Sequence, residues 1–143
     1  MGADMANVLI VDDNADIRIL VASMVEMAGH EVREASDGRK GLEAAAEHPP
    51  DLMLLDVEMP ILTGPEMAYE LFLRNFGLEK IPVILLSGIV GLGEVAEKVG
   101  TPYFLGKPYS PEELLLLINR ALHEQISPRP HLEVRDGTDS QSL

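Results

Sequence analysis

Val8-Leu9-Ile10-Val11-Asp12-Asp13 decides how this chain reads. A continuous run of β-branched and aliphatic residues has no polar face to offer water, so as a strand it must be covered on both sides, and here it stops at two carboxylates. The same figure returns as Leu52-Met53-Leu54-Leu55-Asp56, and again as Val83-Ile84-Leu85-Leu86-Ser87. Apolar strands that alternate with helical patterns predict a parallel sheet with helices on both faces.

The segments between these runs supply the helices. Asn14 is a suitable N-cap, and apolar residues recur at Ile17, Leu20, Val21, Met24 and Val25 until Gly29 closes the first helix. Glu31–Ala35 reads as the second strand. Asp37-Gly38 then leads into an alanine-rich helix from about Arg39 to Glu47, stopped by Pro49-Pro50. After Asp56 come a loop with Pro60 and Gly64, a third helix from near Pro65 with Met67, Leu71 and Phe72 inward, and a turn at Gly77.

Gly88, Gly91 and Gly93 delay the next helix to about Glu94, because each interior glycine costs about 1 kcal/mol relative to alanine. A short or mobile fourth helix is expected. Tyr103-Phe104-Leu105 gives the fifth strand, and Ser110-Pro111-Glu112-Glu113 is a capping box that opens a last helix running to about Ile126. That helix presents Leu114, Leu117, Ile118 and Ala121 inward, with a second stripe at Leu115, Leu122 and Ile126. The second stripe either packs beneath neighbouring chain or serves a homodimer or partner interface. The expected organisation is one doubly wound α/β domain over residues 6–126, with five parallel strands and five helices, and a tail at 127–143.

The bulk composition narrows the function. A chain of 143 residues that is 46% hydrophobic holds one domain and not two. Without cysteine there is neither a disulfide framework nor a thiolate metal site. Asp4 stands where a signal peptide carries positive charge, and no apolar run approaches the roughly 20 residues that span a bilayer, so a cytoplasmic protein with no membrane partner is expected. Eleven basic against 24 acidic residues give a net charge of −13, the wrong sign for a nucleic-acid partner. His30, His48, His123 and His131 fall away from the strand ends and read as surface residues.

In a doubly wound sheet, ligands bind beyond the carboxyl ends of the strands. Asp12, Asp13, Asp56, Ser87 and Lys107 all fall there. Three gathered carboxylates repel one another unless a cation holds them ionised, and an all-oxygen donor set favours a hard ion such as Mg2+. An aspartate, a hydroxyl, a lysine and Mg2+ are the parts for moving a phosphoryl group onto Asp56. Taken singly, Asp12-Asp13 is an ordinary loop and cap, Ser87 a turn residue and Lys107 a solvated charge. Their joint occurrence at strand ends displaces those readings.

The Asp12-Asp13 pair, Asp56 with Met59-Pro60 and Gly64 after it, Ser87-Gly88 and Lys107-Pro108 occur in the order and approximate spacing of the response regulator receiver family, which this chain resembles over about residues 6–126. The resemblance implies the flavodoxin-like strand order 2-1-3-4-5. It implies that Asp13, Asp56 and the backbone carbonyl of Glu58 bind Mg2+, with Asp12 acting through water. Ser87 and Phe104 become switch residues, although Phe104 is equally readable as a core aromatic, and Lys107-Pro108 becomes a cis peptide. The implied partners are a histidine kinase or histidine phosphotransfer protein as donor, and a downstream protein. The family is a signalling domain and not an enzyme, with at most weak self-phosphorylation and self-dephosphorylation. Whether the chain stands alone or comes from a hybrid kinase or longer regulator stays open.

The runner-up is an Mg2+-dependent phosphohydrolase with an aspartyl-phosphate intermediate. Such enzymes usually set two aspartates two residues apart after the first strand and carry a cap insertion, whereas here the pair is adjacent and no insertion of that size exists. Glu58, two residues after Asp56, is expected to influence the lifetime of an acyl phosphate.

Overall fold

The apolar runs become β1 (Asn7–Val11), β3 (Leu52–Asp56) and β4 (Val83–Ser87), joined by β2 (Glu31–Ala35) and β5 (Phe104–Gly106). In the computed structural model, which describes residues 5–57, 80–88 and 90–129, all neighbours pair in parallel in the order β2-β1-β3-β4-β5. This is the expected doubly wound α/β sheet. Val11 is level with Leu55 and Asp56 with Leu86, so Asp12 and Asp56 leave neighbouring strands at the same height.

Four helices cover the sheet among the described residues: α1 (Ala15–Met27), α2 (Gly38–Glu47), α3 (Leu92–Val99) and α4 (Pro111–Glu124). The helix expected from Pro65 and the loop with Glu58, Met59, Pro60 and Gly64 lie outside the described residues. Alternation along each strand sorts the core into two layers. Leu9, Val11, Met53, Leu55, Val83 and Leu85 pack with Leu42 and Ala45 of α2 and with Leu92, Ala96 and Val99 of α3. Val8, Ile10, Leu52, Leu54, Ile84 and Leu86 pack with Val21 and Val25 of α1 and with Leu114, Ile118 and Ala121 of α4. Each such side chain contributes about 1.5–3 kcal/mol when fully buried, so the central strands are the most firmly held part of the domain. Among the described residues no helix is long and apolar enough to cross a membrane.

The caps form largely where the sequence places them. The Asn14 side chain accepts from the Ile17 backbone N–H, the Asp37 side chain from Lys40, and Ser110 and Glu113 complete a reciprocal capping box. α3 is eight residues long and starts at Leu92, two residues before the expected Glu94, between Gly91 and Gly100, both left-handed.

Several expectations are corrected. Leu20 is 60% exposed, because the buried stripe of α1 centres on Val21, Ala22 and Val25, and Leu20 lies about 100° round the helix from Val21. β5 starts one residue later than predicted, with Tyr103 wholly buried just before it and Phe104 facing outward. His30 is buried, its Nδ1 accepting the Ala6 N–H at 3.1 Å. α4 stops at Glu124 because Gln125 turns left-handed, at φ 55°. Leu115 and Leu122 of the second stripe pack against the core edge, which leaves Leu116 and Ile126 exposed.

The chain beyond α4 lies back on the domain. Ile126 N donates to the Tyr103 hydroxyl at 3.4 Å, and Arg129 N donates to the Gly100 carbonyl at 3.1 Å. Gly100 has φ 82°, and a Cβ there would overlap the Arg129 backbone. The substitution Gly100→Ala therefore meets both a left-handed backbone and a blocked space, and is expected to lower unfolding free energy by about 2 kcal/mol. Urea denaturation checks this, and an unchanged midpoint would contradict it.

Candidate functional site

The site is built from the residues that follow each strand. Where β1 ends, Asp12 is held on several sides: its N–H donates to the Ala35 carbonyl at 3.1 Å, its carbonyl accepts from Arg18 Nη1 at 2.7 Å, and its Oδ1 accepts from the Asn14 N–H at 2.9 Å. The last of these is a local aspartate turn that also delivers Asn14 to its capping position. Asp12 is 5% exposed and Asp56 8%, while Asp13 is open to solvent. One carboxylate oxygen from each of Asp12, Asp13 and Asp56 lies within 4.8 Å of the others.

Lys107 completes the cluster from the far side. Its Nζ is 4.0 Å from Asp12 Oδ2, and its backbone N–H donates to the Ser87 carbonyl at 2.9 Å, fastening the Lys107-Pro108 segment to the end of β4. The Lys107-Pro108 bond is cis, as expected. Ser87 is buried at the same rim. The fold thus brings Asp12, Asp13, Asp56, Ser87 and Lys107 to one edge of the sheet. Glu58 lies outside the described residues.

The electrostatics ask for a cation. Like unit charges about 4 Å apart repel by about 4 kcal/mol at the effective dielectric of a protein surface, and among the described residues three carboxylates gather here beside Lys107. Two buried oxygen donors and one solvent-facing donor fit a hard divalent ion such as Mg2+, which keeps several of its waters. Among the described residues no sulfur or imidazole joins the group to favour a softer metal.

Phe104 is 43% exposed, and its ring lies over Gly93 in the first turn of α3, 3.8 Å from where a Cβ would stand. It belongs to the surface between β5 and α3, not to the core.

Two participants had no sequence signal. Arg18 carries none, since its bond is to a main-chain carbonyl six residues earlier. Tyr109, half-buried against the layer under α1 and α4, faces the acidic cluster. Burial first, then the charges of Asp12 and Asp56, push its phenol above the usual tyrosine range. A raised folded value means the fold prefers the neutral phenol, so this stabilisation is whole below pH about 10 and is lost as pH climbs through the folded value. Denaturation midpoints measured across this range should fall less steeply in Tyr109→Phe than in the wild type; identical alkaline slopes would refute the placement.

Comparison with known proteins agrees with this geometry. Residues 8–119 match the family model of the response regulator receiver domain. The chain is 35% identical over 123 residues to the DNA-binding dual master transcriptional regulator RpaA of Synechocystis sp., covering 82% of this chain and 49% of that protein. It is 36% identical over 120 residues to the phosphate regulon transcriptional regulatory protein PhoB of Pseudomonas aeruginosa, covering 80% and 51%. This chain spans about half the length of these two regulators. The chemotaxis protein CheY4 of Vibrio cholerae superposes with a TM-score of 0.75 at 34% identity, over 81% of this chain and 98% of that one. With the sheet order, the strand-end residues and the family match in accord, the chain belongs to the response regulator receiver family, a signalling domain of two-component systems.

Proposed function

We propose that the chain takes a phosphoryl group onto Asp56 from a phosphohistidine of a histidine kinase or histidine phosphotransfer protein, with Mg2+ at the acidic cluster. The observation that carries this reading is the convergence of three carboxylates within 4.8 Å beside the Lys107 ammonium. Asp13, Asp56 and the Glu58 carbonyl would hold the ion, with Asp12 acting through water. Bound there, Mg2+ supplies positive charge against the oxygens of the transferring group.

The chain's own residues divide the remaining work. An Asp56 carboxylate oxygen attacks phosphorus while the phosphorus–nitrogen bond breaks and its electron pair returns to the donor imidazole. An ionised aspartate needs no general base. Lys107 Nζ neutralises a second phosphoryl oxygen, and the Ser87 hydroxyl donates to a third. Phe104 over Gly93 links this rim to α3, so rearrangement at Ser87 reaches an exposed surface where a downstream protein, or a second copy through Leu116 of α4 and Ile126 just beyond its end, binds. The receiver unit is residues 6–126 in a cytoplasmic setting. DNA binding is a property of RpaA as named, and the net charge of −13 disfavours nucleic-acid phosphates as a partner of this chain.

Incubation with acetyl phosphate and Mg2+ tests the reading. Intact-protein mass spectrometry should show one added phosphoryl group per chain and none on Asp56→Asn, and Lys107→Ala should slow the reaction by about 100-fold. Multiple turnover of phosphomonoesters that survives Asp56→Asn would replace this reading with a phosphohydrolase.

A further inference from the structure

We infer that Arg18 is a positioning residue for the Mg2+ site, acting through the main chain of Asp12; the inference rests on the Mg2+ reading above. Arg18 reaches from the first turn of α1 across the end of β1 to the edge strand β2. Its Nη1 donates to the Asp12 carbonyl at 2.7 Å, and its Nε donates to Glu34 Oε1 at 3.0 Å. The side chain is only 16% exposed, although arginine is ordinarily solvated. Two charge-assisted or short hydrogen bonds at both edges of one guanidinium fix its plane, and that plane fixes the Asp12 peptide.

Asp12 is the residue at which β1 leaves the sheet and the acidic pair begins. Its N–H is bonded to Ala35 of β2, and its carboxylate is turned by the Asn14 N–H on one oxygen and faces Lys107 with the other. The Arg18 bond fixes the remaining polar group of the same residue, so rotation of the Asp12 peptide would disturb the direction of both acidic side chains at 12 and 13. Groups that orient a ligand in this way commonly change metal affinity by 10- to 100-fold when removed, without touching the metal.

Charge alone would act in the opposite sense. A guanidinium near three carboxylates repels an incoming cation, and deleting it would tighten binding. Glu34, 3.0 Å away, offsets that charge and leaves the geometric effect dominant.

Isothermal titration of the full chain with Mg2+ separates these roles. Arg18→Met, which keeps the aliphatic stem, is expected to weaken Mg2+ binding by about tenfold. Arg18→Lys, which keeps a donor and the charge, should recover part of the loss, and the exposed change Glu34→Gln should weaken binding by a smaller factor. Urea denaturation of each variant in the absence of Mg2+ verifies that it is folded. A folded Arg18→Met that binds Mg2+ as well as or better than wild type would overturn the inference, as would an equal loss in Arg18→Lys or an unchanged Glu34→Gln. Wild-type chain that takes up no Mg2+ at all would remove the underlying reading, a result distinct from normal wild-type binding with unaffected variants.

Discussion

Three carboxylates repel one another at one end of a parallel sheet, and the sheet is what holds them together. Asp12 and Asp56 sit at equal height because Val11 pairs with Leu55, and that register is locked by apolar residues packed on both faces of β1 and β3. Neither carboxylate can retreat without lifting buried leucines and valines from the core. Folding energy from the two hydrophobic layers therefore keeps in place a cluster that electrostatics alone would disperse. Among the described residues Lys107 sets positive charge against the cluster, and the proposed ion would add to it.

The same arrangement links site and surface. Ser87 and Lys107 meet through a main-chain hydrogen bond at the ends of β4 and β5, and Phe104 lies two residues before Gly106, with its ring on the bare backbone of Gly93. Gly91 and Gly100 bound α3 in left-handed conformations, and no side chain caps its first turn. An eight-residue helix with such ends draws little stability from its own sequence and depends on Leu92, Ala96 and Val99 in the core. It is the shortest of the described helices.

Much of this was legible in the sequence, and the exceptions share a cause. Runs such as Leu52 to Leu55, short and bounded by Pro49-Pro50 and Asp56, read as doubly covered strands, and Asp56 at the end of one is visible without coordinates. The capping box at Ser110 is likewise local, and local chemistry survives folding. Leu20, by contrast, satisfies the helical period and still faces water, because the width of the buried stripe is set by the sheet and not by α1. Phe104, equally readable as a core aromatic, faces outward while Tyr103 is buried, with β5 beginning one residue later than the sequence suggests. His30 is buried by a bond to Ala6, 24 positions away, and Arg18 and Tyr109 join the site through a carbonyl and through proximity. None of these partners leaves a mark in the spacing of residue types.

The central claim is that strand-end carboxylates form a cation site under repulsion, and stability measured against Mg2+ tests it most directly. Urea midpoints of the wild type should rise with Mg2+ and then grow only logarithmically with its concentration, as expected for an ion that binds the folded chain alone. Asp13→Asn should raise the midpoint without Mg2+, by removing one repelling charge, and lose most of the increment that Mg2+ provides. A wild-type midpoint indifferent to Mg2+, together with an Asp13→Asn midpoint no higher than wild type, would contradict it.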